Sequence, residues 1–119
     1  DTMNLHQFLS VLVQEECNEV GQRASKLTRF GFDEVQPGQP LNNLQRLEDE
    51  IDDLLLRRAL LQIATDENKR GIVIQDKHWI EKGKKILRFA KLSMTQGQIS
   101  RSVYRQVVDM FPPEAHPTK

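Results

Sequence analysis

"LHQFLSVLVQEECNEV" (residues 5–20) reads as one face of an α-helix until it meets its acids. Leu5, Phe8, Leu9, Leu12, Val20 and, further on, Leu27 recur at helical spacing. At about 100° per residue they share an arc of about 120°. Measured from Leu12, Glu16 lies at about 40° and Glu19 at about −20°, inside that arc, with Glu15 at about −60° on its edge. The pattern asks for leucine at Glu16 and Glu19. Carboxylates on a buried face must be protonated or matched by cations.

Working outward, "RFGFDEVQPGQP" (29–40) holds two Gly and two Pro and predicts a loop after a first helix over residues 3–29. Loops of this length are often functional. The spacing then predicts a second helix over 41–66, with Asn42 or Asn43 as its cap. Leu44, Leu47, Ile51, Leu54, Leu55, Arg58 and Leu61 trace its main stripe, with Leu56, Leu60 and Ile63 off it. A helix apolar on more than one side is central, or is covered by a second subunit, so oligomerisation is expected. "ENKRGIVIQD" (67–76) breaks the period at Gly71. Its "IVI" has no partner strand and reads as part of a connector.

A third helix is expected over 77–92, basic outside (Lys82, Lys84, Lys85, Arg88, Lys91) and apolar inside (Trp79, Ile80, Ile86, Phe89, Leu92). "TQGQ" (95–98) makes a turn before a fourth helix over 99–110, carrying Ile99, Val103, Val107 and Met110. "PPEAHPTK" (112–119) is expected to be a disordered tail. No segment alternates at period two for long enough to be a sheet strand. The fold class is all-α, a four-helix-type bundle in one domain over residues 1–111.

The bulk numbers narrow the function. Lys+Arg and Asp+Glu number 17 each in 119 residues. Zero net charge gives no overall pull toward nucleic acid or an anionic membrane, so neither is expected as a partner. No apolar run approaches a membrane span, and no signal peptide is seen. Cys17, the only cysteine, excludes a disulfide within the chain and a thiolate metal cluster. A cytoplasmic location is expected.

The second acidic stretch is "LEDEIDDLLL" (47–56). Measured from Leu47, Glu50 lies at about −60° and Asp53 at about −120°, on one flank of the stripe. Glu48, Asp49 and Asp52 fall on the other flank. Glu50 and Asp53 are therefore the pair able to meet Glu16 and Glu19 across two helices. Both pairs are spaced i, i+3 and so share a face. Two readings stand. The acids are a solvated charged surface, or they are an all-carboxylate cage for a hard divalent ion, Mg²⁺ or Mn²⁺ rather than Zn²⁺. A di-iron site would need Glu-x-x-His, and neither acidic pair contains histidine.

These residues resemble a known family. "EECNEV" matches the E-E-x-x-E motif, and "EIDD" (50–53) the E-x-x-D motif, of the MazG-like all-α nucleoside triphosphate pyrophosphohydrolases. "RASKLTRFGFDEV" (23–35) and "NLQRLEDEIDDLL" (43–55) resemble a phage-type single-domain branch, and the likeness extends over about residues 5–92. The resemblance implies a helical bundle assembled as a homodimer or homotetramer. It implies Mg²⁺-dependent hydrolysis of a nucleoside or deoxynucleoside triphosphate to the monophosphate and pyrophosphate. Carried over by position, Glu16, Glu19, Glu50 and Asp53 are the metal ligands. Glu15 is a further ligand or orients the attacking water.

The chain departs from the family at Asp52, where a small residue is common; by phase Asp52 points away from the site. Other groups carry two readings each. Lys26 contacts phosphate or is a helix-end lysine favoured by the dipole. Asn43 reaches base or sugar, or is a cap. Lys85, with Lys82 and Arg88, meets the triphosphate or is a solvated basic face. Trp79 and Phe30 stack on a base or pack in a core. Cys17 is expected to be inert and His78 to lie on the surface. The alternative function is a non-catalytic helical nucleotide-binding or regulatory module.

Overall fold

The structure is a computed structural model that describes residues 2–117. Four α-helices account for most of it: α1 (Leu5–Phe30), α2 (Asn43–Thr65), α3 (Lys77–Thr95) and α4 (Arg101–Val108). Two short 3₁₀ turns, Glu67–Lys69 and Pro113–Ala115, complete the order. No strand occurs among the described residues, where a single parallel bridge joins Met3 to Ile99. The all-α class and the connector reading of "IVI" both hold. That connector is tied down by the Ile74 N–H, which donates to the Met110 carbonyl at 2.9 Å.

Helix starts follow from local chemistry. α1 and α2 open with the same reciprocal box, in which an asparagine oxygen takes the N–H three residues on and a glutamine oxygen takes the asparagine N–H. The pairs are Asn4 with Gln7, both bonds 2.9 Å, and Asn42 with Gln45, at 2.8 and 3.0 Å. Asn42, not Asn43, is therefore the cap of α2. Asp76 and Ser100 cap α3 and α4 by accepting from the Trp79 and Val103 N–H groups.

The chain divides into two units. One runs from Val11 to Arg58 and holds most of α1, the loop and the first two thirds of α2. Gly31, at φ +91°, lets the chain leave α1 in a left-handed turn. The loop then folds back on the start of α2. Asn43 and Leu44 N–H donate to the Glu34 and Phe32 carbonyls, and Arg46 Nη1 donates to Gln36 Oε1 at 2.8 Å.

The other unit holds the residues up to Ser10 and from Ala59 onward. Its core gathers Phe8, Leu9, Leu60, Ile86, Leu87 and Val107, all 1% exposed or less. Phe8 stacks on Phe89 with centroids 6.1 Å apart. α3 packs on α4 and on the last 3₁₀ turn.

Three expectations are corrected. The stripe on α2 chosen from sequence is not the buried one: Leu44, Ile51, Leu55 and Arg58 are exposed, whereas Asp53, Leu56, Arg57, Leu60 and Ile63 are buried. At about 100° per residue the two faces lie nearly opposite each other. Leu92, expected inside, is 51% exposed, and α3 continues past it to Thr95. The expected disordered tail is ordered in part. Ala115 is buried, and His116 Nε2 lies 3.0 Å from the Val108 carbonyl and 2.8 Å from that of Phe111. Thr118 and Lys119 lie outside the described residues.

The tail is seated on α3 at Gly83, where an added Cβ would overlap the ring of the buried Phe111. Alanine in a helix interior normally gains about 1 kcal/mol over glycine. Overpacking a core costs about 1–3 kcal/mol. Gly83→Ala is therefore expected to lower the melting temperature, and adding Phe111→Leu to recover part of the loss relative to Phe111→Leu alone. A Gly83→Ala melting temperature above the parent would contradict this packing.

Candidate metal centre

Within the unit from Val11 to Arg58, α1 and α2 bring together Glu16, Glu50 and Asp53. One carboxylate oxygen from each lies within 4.8 Å of the others, close enough for one cation to touch all three. Glu16 is fully buried, Asp53 is 7% exposed and Glu50 is half-buried. Neither Glu16 oxygen has a hydrogen-bond donor, nor does Glu50 Oε2. Such groups are costly to bury, and each needs a cause.

Arg57, one turn after Asp53, places a cation beside Glu16. Its Nη2 stands 3.5 Å from Glu16 Oε1, at ion-pair distance but too far for a good hydrogen bond. Its Nη1 donates to the Leu12 carbonyl at 2.9 Å. The Arg57 side chain is thus pinned to the α1 backbone one turn before Glu16. Sequence reading missed it and chose its neighbour Arg58, which is exposed. The signal was there in the i, i+4 spacing from Asp53, but the stripe used as reference pointed the wrong way.

Burial drives the Glu16 carboxyl from an ordinary 4.5 up to about 9. The nearness of Glu50 and Asp53 adds to the rise, and Arg57 opposes it. At neutral pH Glu16 thus keeps its proton, which a divalent cation would have to displace. The donor set fits Mg²⁺ or Mn²⁺: oxygens alone, with a buried carboxylate without hydrogen-bond donors among them.

Other residues named from sequence fall elsewhere. Glu15 and Glu19 are exposed on α1, outside the three-carboxylate group. Glu19 is exposed although its phase, about −20° from Leu12, lies inside the apolar arc. Lys26 is half-buried on α1, and Asp52 half-buried on α2. Asn43 is buried and committed to the loop: its Nδ2 donates to the Gly31 carbonyl at 2.9 Å and to Glu34 Oε1 at 3.2 Å. It clasps the turn and is neither a cap nor an open polar group. Lys85 and Arg88 are exposed on α3, in the other unit. Phe30 is 45% exposed, with the Arg29 guanidinium 4.9 Å from its ring centre, and Trp79 is half-buried. Cys17 and His78 are exposed.

The raised Glu16 pKa has a signed consequence. Between about pH 4.5 and 9 the unfolded carboxyl is ionised while the folded one holds its proton. The folded state binds more protons there, so stability falls as pH rises through the window. In EDTA, the melting temperature of the parent should drop more steeply from pH 5 to 9 than that of Glu16→Gln. Mg²⁺, which competes with the proton, should stabilise the parent more at the alkaline end. Parallel curves for the two proteins would remove Glu16 as the titrating group. Comparison with protein-family models, with curated proteins and with solved structures finds no match for the chain, so the case for this centre stands on its own geometry.

Proposed function

We propose that the protein is a MazG-like, Mg²⁺-dependent pyrophosphohydrolase that converts a nucleoside or deoxynucleoside triphosphate to the monophosphate and pyrophosphate. The observation that carries this reading is the meeting of Glu16, Glu50 and Asp53, drawn from the two motifs of the resemblance, with buried oxygens that lack donors. Glu16, Glu50 and Asp53 would hold the ion. A bound divalent ion supplies charge to neutralise the polyphosphate and acidifies a water ligand. Glu15 and Glu19, exposed on the same helix, are open to water, where a carboxylate can accept its proton. Arg57 holds Glu16 in place from behind. Lys26, half-buried two to three turns on from Glu16 in the same unit, would contact a phosphate oxygen.

The reading includes a homodimer or homotetramer. Leu44, Ile51 and Leu55 make an exposed stripe on α2, each 36% exposed or more, and Phe30, Phe32, Val35 and Leu41 of the same unit are also exposed. Large apolar side chains in such number mark an interaction surface. The second reading, a binding module without turnover, gains from the position of Glu19 outside the carboxylate group.

Pyrophosphate release from a panel of ribo- and deoxyribonucleoside triphosphates tests the reaction. Release is expected with Mg²⁺ and not with EDTA, and Asp53→Asn should lower it by about a hundredfold or more. Full activity in Asp53→Asn would end the metal-centre reading. Stabilisation by Mg²⁺ and nucleotide with no pyrophosphate from any substrate would favour the binding module. For assembly, sedimentation should show an oligomer that Leu55→Glu dissociates while helicity is kept. A monomeric parent at the same concentration would refute it.

A further inference from the structure

The zero net charge conceals a separation of signs. Residues 15–53 hold ten acids against four Lys and Arg, whereas residues 77–105 hold eight Lys and Arg against one acid, Glu81. On the second unit part of that charge converges. Lys91 and Met94 of α3, Arg101, Tyr104 and Arg105 of α4, and His116 line a cleft of about 470 Å³. That volume is in the range of small-molecule sites. Asp109 is the one acid in its lining.

Several features suit an anion. Arg101 and Arg105 are i, i+4 on one helix, a like-charge pairing that weakens a helix unless something compensates it. Among the described residues none of Lys91, Arg101 and Arg105 has an ion-pair partner. Tyr104, half-buried between the two arginines in sequence, adds an aromatic face, and Met94 an apolar, polarisable one. The wall from the C-terminal segment is fixed in place. His116 Nε2 donates toward the carbonyl oxygens of Val108 and Phe111.

We propose that this cleft is a second ligand site that takes a nucleoside monophosphate without a metal ion. The phosphate would lie on the Arg101 and Arg105 guanidinium groups and Lys91, since planar guanidinium forks match phosphate oxygens. The base would lie against Tyr104 and Met94. The apolar part of the lining gives a nucleotide an advantage over inorganic phosphate. The site stands independently of the carboxylate centre, because no residue is common to the two.

Tyr104 is the only tyrosine in the chain, so its ring resonances report on the cleft alone. The test is a titration of the full chain in EDTA with AMP, GMP, CMP and UMP, and with inorganic phosphate, followed by calorimetry and by the Tyr104 ring signals. At least one nucleotide should bind saturably and shift those signals, and should bind more tightly than inorganic phosphate. The exposed double substitution Arg101→Ala with Arg105→Ala should weaken it by about tenfold or more. Asp53→Asn should leave it unchanged, which separates this cleft from the metal centre. No binding, binding unaffected by the double substitution, or equal binding of inorganic phosphate would each overturn the proposal. So would preference for a single-stranded oligonucleotide with steep salt dependence, which would make the basic face a nucleic-acid surface.

Discussion

The burial of one carboxylate constrains the helical hairpin more than any other feature. Glu16 sits fully buried at a position where the apolar pattern calls for leucine. An ionised carboxylate there would be heavily desolvated. The fold keeps the acid and surrounds it with Glu50, Asp53 and Arg57. Two of these raise its proton affinity and one lowers it. A purely structural solution would have placed more cations beside it. The arrangement instead leaves the group short of positive charge, which is the condition for cation binding.

Arg57 shows why the deficit is partial. A lysine would offer a single point charge on a flexible stem; an arginine stays charged and uses two nitrogens at fixed angles. One of them is spent on the Leu12 carbonyl. The other reaches Glu16 at 3.5 Å. The guanidinium therefore fixes the spacing between α1 and α2 within their unit without fully neutralising the site. Its geometry is that of a strut, and the oxygens of Glu16 without donors remain for something else to satisfy.

How far the sequence could be read depended on how many faces each helix had to serve. α1 has one apolar face at its start, and Glu16 was placed correctly from Leu12. Glu19, inside the same arc by phase, is exposed, because a helix-wide arc does not say which of its positions a neighbour covers. α2 has two apolar faces, and periodicity alone cannot rank them. Leu44, Ile51 and Leu55 gave the stronger stripe yet are exposed, while Leu56, Leu60 and Ile63 are buried. Glu50 and Asp53 still meet Glu16, because at about 60° and 120° from Leu47 they lie toward the face that is buried. Helix starts were legible where a side chain caps them, as at Asn42. The clasp of Asn43 on Gly31 and Glu34 was not, because it joins residues 9 and 12 apart across an irregular loop. No periodic pattern encodes such a contact.

The same distinction bears on charge. A sum over the chain is zero, and a sum is blind to order. Separate tracts of opposite sign cost little when each is solvated, since screening acts within about 8–10 Å at physiological salt. They cost more where one sign is crowded on one face. That happens twice: three carboxylates within 4.8 Å, and two guanidinium groups one helical turn apart beside a lysine. Evolution of a neutral surface would disperse both. Crowding of like charge around a concave or buried site lowers stability in the absence of a ligand and returns it when an ion of opposite sign arrives. By that logic the proposed partners of the two clusters carry opposite charge, a cation at the carboxylates and an anion at the guanidinium groups, and each would return stability that its cluster costs when empty.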